Sequence, residues 1–335
     1  MKYKGITYDV GTEYIAGNLS RTGLTREVIE KDFFEIKKNL NCNSVRIYGT
    51  QKHLLILATE VALKSALNVW LSPRLINQDA QTTINYIKEI AKEVEGFKST
   101  YPDSEVVFIV AGEATIDVKG FLEGETIYDR IKNISKPSFF IKKALGIKPR
   151  YQKALDNFLR QSYFAVRGNF SGKVTYASAM WETIDWTIFD FVSINLYKAS
   201  FNKSFFNKII RKMKSKGKPL AITEFGCCTY TGADKKGPTG YMVLDTKTDP
   251  PTFKEKCERD EKTQADYISD LLQTFEKEKV DATFIFDFYS EKLTYSSNPD
   301  LDYDKASFAV TKSFGKNKWA PKRSFYIISD YYENN

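Results

Sequence analysis

Two stretches decide the fold: VVFIVAGE at Val106–Glu113 and PLAITEFG at Pro219–Gly226. Each is a short apolar run that is hydrophobic on successive residues rather than on alternate ones, which marks a strand covered on both faces, as in a parallel sheet. Six more runs of this kind surround them: Lys4–Gly11, Ser44–Gly49, Asn68–Pro73, Lys173–Ala179, Phe191–Tyr197 and Ala282–Tyr289. Between most of them lie amphipathic segments with helical spacing, at Thr25–Leu40, Gln51–Leu67, Thr82–Phe97, Tyr151–Gly168, Asn202–Lys216 and Arg259–Lys279. The first enters through Thr25 and places Val28, Ile29, Phe33, Ile36 and Leu40 near one face. Only Met180–Asp190 separates the fifth run from the sixth, room for a short helix.

Eight strand–helix repeats in 335 residues read as an α/β chain forming a single (β/α)8 TIM barrel over 1–335. The stretch 321–335 reads as a closing helix packed on that barrel. A doubly wound open sheet is the competing architecture, but it calls for a glycine-rich phosphate loop near the first strand, which the sequence lacks. Two connections exceed ordinary loop length. Thr115–Pro149 follows strand four and carries Lys132, Lys136, Lys142, Lys143 and Lys148. Cys227–Glu258 follows strand seven and contains Pro250-Pro251. Both leave the strand ends where such barrels place their chemistry, so they are expected to wall a cleft.

Composition removes whole classes of function. With 42% hydrophobic and 27% charged residues the chain can fill a core. Its longest strongly apolar stretch, Val106–Ala111, falls far short of the roughly 18 residues a membrane span needs. The start MKYKGITYDV has no apolar core of signal-peptide length. Four cysteines, Cys42, Cys227, Cys228 and Cys257, show no C-x-x-C spacing and read as free thiols of a cytoplasmic protein. A net charge of +8 arises from scattered lysines, which is no dedicated nucleic-acid surface. His53 is the only histidine, so no two-histidine metal motif exists, and no cofactor fingerprint is present.

The chemistry then falls to two acids. Glu113 ends one buried run and Glu224 lies near the end of another. A carboxylate at the mouth of an apolar strand is costly to desolvate unless it is satisfied or used. Strands four and seven of an eight-stranded barrel face each other across its mouth. Carboxyl groups about 5–5.5 Å apart suit double-displacement glycoside hydrolysis, and about 6.5–9.5 Å suits single displacement.

The chain resembles the clan A glycoside hydrolases, retaining glycosidases built on (β/α)8 barrels. The resemblance rests on Gly112-Glu113, on Ile222-Thr223-Glu224-Phe225-Gly226, on Arg46 ending strand two and on Asn195-Leu196-Tyr197 ending strand six. It implies a carbohydrate substrate, Glu113 as acid/base and Glu224 as nucleophile. It also implies that Arg46 and Tyr197 contact Glu224, keeping it ionised and aimed. Members usually carry Asn before the acid/base, where this chain has Gly112, and often Trp at the end of strand eight, where it has Asp287-Phe288-Tyr289. Tyr289 could stack on a sugar instead. More narrowly, YDVGT, VRIYG, VWLSP, GFLEGET, VTYASAMWETIDW and TEFGC resemble bacterial proteins labelled abortive infection proteins.

Further candidates come from position alone. Asp9 either binds a sugar hydroxyl or caps the turn at Gly11. Arg74 either binds an acidic substituent or pairs with Asp79. Trp181 and Glu182 follow strand five at the mouth, where the Trp181 face could take a sugar ring. Asp287 is either a substrate contact or a partner of Arg46.

Overall fold

A computed structural model describes residues 1–136, 138–139, 145, 147 and 149–335. Eight strands form one sheet: β1 (Tyr3–Asp9), β2 (Ser44–Gly49), β3 (Asn68–Pro73), β4 (Val106–Gly112), β5 (Lys173–Ala177), β6 (Val192–Asn195), β7 (Leu220–Phe225) and β8 (Ala282–Ile285). Their order is β5-β4-β3-β2-β1-β8-β7-β6 and each ladder is parallel. The edges β5 and β6 meet through an isolated bridge between Ser178 and Ile194, and the Thr175 and Ser193 hydroxyls lie 2.8 Å apart below it. The sheet is thus a nearly closed (β/α)8 barrel.

Helices cover its outside. α1 (Arg26–Phe34) starts where the Thr25 hydroxyl accepts from the Val28 amide and continues as a π-helical stretch, Glu35–Asn39. α2 (Lys52–Lys64) and α3 (Ala80–Val94) follow β2 and β3. After β4 comes α4 (Ile127–Ile134), opened by a capping box between Thr126 and Asp129, and then α5 (Gln152–Arg167). α6 (Phe206–Lys214), α7 (Glu261–Lys277) and α8 (Arg323–Asn334) complete the ring. α8 lies beside α7, its Tyr331 hydroxyl donating to the Leu272 carbonyl at 3.2 Å.

No helix joins β5 to β6. Met180–Asp190 is too short to cross the barrel wall as one, and it runs as irregular turns pinned by Trp186 and Phe189. Asp185 accepts there from the Thr187 amide and hydroxyl.

The barrel interior is filled from below by an aromatic plug. The ring of Trp70 stands 4.8 Å from Phe191, 5.0 Å from Phe284 and 5.5 Å from Tyr3, centroid to centroid. Gly5 on β1 makes this possible, since a Cβ there would lie 2.5 Å from the Phe284 ring. Above the plug the inward layer turns polar, with Thr7, Arg46, Thr175, Ser193 and Thr223 all buried. The site is built on that layer.

Three excursions rise from the strand C-termini. The two expected from their length follow β4 and β7; Lys142, Lys143 and Lys148 of the first lie outside the described residues. A third, Phe286–Lys322, follows β8 and was not marked by the sequence pattern. Buried charge ties it to its neighbours: Arg259 bonds Asp302 and Asp304, and Lys322 lies 2.9 Å from Asp304.

Candidate active site

Glu113 follows the last residue of β4 and takes φ 44°, ψ 48°, in the left-handed region. Its amide donates to the Ala177 carbonyl at 2.8 Å, which fastens it to β5. Its carboxylate accepts from Asn195 Nδ2 at 3.1 Å. The Asn195 amide is itself oriented, because its Oδ1 accepts from the Thr223 hydroxyl at 2.8 Å. Burial, then the charge of Glu224, push the Glu113 carboxyl up to about 8, against the pull of the Asn195 hydrogen bond and of Arg74.

Glu224 lies on β7 with its side chain 14% exposed. One carboxylate oxygen accepts from Arg46 Nη1 at 2.8 Å, the other from the Tyr197 hydroxyl at 3.3 Å. Arg46 is only 2% exposed and is held in turn by the Thr223 carbonyl at 2.8 Å and the Ser72 hydroxyl at 3.2 Å. β6 links the two acids: Asn195 bonds Glu113 through its side chain and is the ladder partner of Glu224. Both glutamates keep part of their surface open at the mouth.

Gly112 has a physical reason here. A Cβ at that position would stand 3.3 Å from Arg46 Nη2, so a side chain would press on the guanidinium that orients Glu224.

Other candidates settle differently. Arg74 does not pair with Asp79, which caps α3 by accepting from the Thr82 amide. Instead its Nε and Nη2 grip Asp117 at 2.6 and 2.9 Å, and its Nη1 reaches the Tyr14 hydroxyl at 3.1 Å. Asp117 stands one turn past Glu113, so the single helical turn Ala114–Asp117 brings the anion to Arg74. Asp9 is buried and caps its turn, accepting from the Gly11 amide at 2.9 Å and from the Thr12 and Ser20 hydroxyls. Asp287 is no partner of Arg46: it accepts from Thr7, Tyr48 and the Phe288 amide. Tyr289 has no free face for a sugar. It is 1% exposed, and the Arg21 guanidinium sits 4.8 Å from its ring. Glu182 is turned inward, accepting from four protein donors. Trp181 is half-buried, its indole donating to Thr115 at 2.9 Å.

Several residues that shape the mouth gave no signal in the sequence. Phe286, half-buried at the end of β8, packs 6.0 Å from Tyr48 and 5.8 Å from Phe308, and Phe308 packs 5.7 Å from Tyr197. This aromatic arc ends on the tyrosine that touches Glu224. Tyr241, from the excursion after β7, has its phenol pushed up to about 12 by burial, with Tyr128 and then Glu113 adding to the rise. Tyr14 arrives on the hairpin after β1. All of these depend on loop paths that periodicity does not encode. Among the described residues no cluster of His, Cys, Asp and Glu is placed to hold a metal ion, and no helix is long and apolar enough to cross a membrane.

No family model matches the chain. One curated relative, trigger factor from Pelagibacter ubique, is 31% identical over 148 residues, covering 39% of this chain and 31% of that protein. The chain thus spans under a third of that relative's length, and the match assigns no family. Similar solved structures include Fpglu1 from Fervidobacterium pennivoraus, at TM-score 0.53 and 12% identity, covering 92% of this chain and 83% of that one. Endoglucanase Cel5A from Thermotoga maritima aligns at TM-score 0.50 and 13% identity, over 91% and 97%. An endo-β-1,4-mannanase from Thermotoga petrophila aligns at 0.50 and 10%, over 99% and 76%. At these identities the likeness is one of fold, and that fold is the (β/α)8 barrel.

Proposed function

We propose that this chain is a retaining glycoside hydrolase acting on an oligo- or polysaccharide, with Glu113 as acid/base and Glu224 as nucleophile. The observation that carries the reading is the division of labour between two acids on facing strands: burial and a neighbouring charge keep a proton on Glu113, while Arg46 and Tyr197 hold the Glu224 oxygens in place. In the first step a Glu224 oxygen bonds to the anomeric carbon as the glycosidic C–O bond breaks. The leaving oxygen keeps the electron pair and takes the Glu113 proton. In the second, water attacks the glycosyl-enzyme, gives a proton to Glu113 and releases Glu224. Two of the named fold neighbours are called an endo-β-1,4-mannanase and an endoglucanase, which makes β-linked glycans the first substrates to test. Four buried free thiols suit a reducing compartment such as the cytoplasm. The abortive-infection label gains nothing from those neighbours.

Gly112 favours a second reading, a barrel that binds glycan without cleaving it, since the resemblance expects a sugar-holding Asn there. A 2-deoxy-2-fluoro glycoside separates the two. Cleavage by retention leaves it bonded to Glu224, and Glu224→Gln abolishes turnover of an aryl β-cellobioside or β-mannobioside. Full activity in that variant refutes the assignment. Binding without turnover in the wild type supports the silent barrel.

A further inference from the structure

The backbone of Glu113 is in a conformation that a residue with a Cβ holds only when its surroundings impose it. The imposing contacts come from β5 and from the turn that follows it. Glu182 is buried and its carboxylate accepts from the Thr115 amide at 3.1 Å, the Thr115 hydroxyl at 2.7 Å, the Ala179 amide at 2.9 Å and the Tyr176 hydroxyl at 2.6 Å. Tyr176 in turn accepts from the Ala114 amide at 2.8 Å. The two amides that follow Glu113 are therefore both tied, directly or through one hydroxyl, to a single carboxylate. The Trp181 indole closes the latch on the Thr115 hydroxyl. With every one of these acceptor positions taken by an interior donor, Glu182 has no lone pair aimed at the cleft.

We propose that Glu182, acting through Tyr176 and Thr115, is a positioning residue that fixes the Glu113 turn and so aims the acid/base carboxyl. This rests on the reading of Glu113 as the acid/base. Gln at 182 turns one oxygen into an NH2, which then faces either the Thr115 donors or the Tyr176 and Ala179 donors, so half of the latch opens. Tyr176→Phe removes the Ala114 link with little change of packing volume.

The experiment compares wild type, Glu182→Gln, Tyr176→Phe and Glu113→Ala on phenyl and 2,4-dinitrophenyl β-cellobiosides and β-mannobiosides, with and without azide. Dinitrophenolate leaves without a proton and azide needs no base, so that combination bypasses Glu113 in both steps. The expected result for Glu182→Gln and Tyr176→Phe is a kcat loss on the phenyl glycosides of about 100-fold with KM nearly unchanged, and recovery on the dinitrophenyl glycoside with azide, as for Glu113→Ala. Equal losses on both leaving groups, no rescue by azide, or no loss at all overturns the proposal. A second measurement needs no turnover: the titration of the Glu113 side-chain carboxyl, followed by carbon-13 NMR. Its midpoint should move in both variants, and an unmoved midpoint overturns the proposal. If wild type cleaves none of these glycosides, the reading of Glu113 as an acid/base for them falls, while the titration still decides whether Glu182 sets its position.

Discussion

Asn195 is the residue at which the two acids communicate. Its Nδ2 stabilises the charged form of Glu113, opposing the burial and the Glu224 charge that push that carboxyl up to about 8. In the mechanism proposed above Glu113 must be protonated for cleavage, so kcat/KM on a phenyl glycoside should fall as pH rises through about 8. Asn195→Ala removes the bond to the carboxylate and should move that limb to higher pH. A pH profile of the two proteins checks the direction, and a limb that moves down contradicts it. Glu113 and Glu224 were readable because a charged side chain ending a buried apolar run stands out whatever surrounds it. The partners of Arg74, Asp287 and Tyr289 were not, because Asp117, Thr7 and Arg21 reach them only through the folded path of other segments.

At the scale of the element, all eight strands could be found from their two-faced burial, and helix entries such as Thr25 from their capping chemistry. The excursion after β8 stayed hidden for an electrostatic reason. Asp302, Asp304, Lys305 and Lys322 look like residues of a solvated loop, yet all are buried: Asp304 pairs with Lys322, Asp302 and Asp304 pair with Arg259, and Lys305 donates to the Cys257 and Pro299 carbonyls. Asp79 shows the opposite case, an exposed acid with a local task. Its carboxylate accepts from the amide and hydroxyl of Thr82 at the start of α3. Asp79→Ala should lower the denaturation midpoint slightly and leave any turnover of the aryl glycosides unchanged, as denaturant titration and a rate assay would show. A large activity loss would mean that Asp79 reaches the site by a route these contacts do not contain.

For the molecule as a whole, two buried carboxyls lean the same way. Asp287 is pushed up to about 8 by burial and then by the charge of Asp9, and Glu113 up to about 8 by burial and then by Glu224. Both have folded values above their ordinary ones, so folding favours the proton. Their contribution is full at pH below the ordinary carboxyl range and is lost as pH rises through about 8. The melting temperature should therefore drop between pH 5 and pH 9. Asp287→Asn, neutral throughout, should flatten that drop; differential scanning calorimetry across the range tests it, and an equally steep fall in the variant contradicts the assignment.

The join between β5 and β6 has its own consequence. A cask laced evenly resists deformation all round, whereas one with a single loosely stitched gap yields along it. In this barrel the gap lies between the strand that anchors Glu113 and the strand paired with Glu224, and it is crossed by the Ser178 amide donating to the Ser193 carbonyl, the Asn195 amide donating to the Ser178 carbonyl and the Thr175–Ser193 hydroxyl pair. Widening of that gap would carry the two carboxyls apart, so their spacing is tied to the join where the staves are least bound.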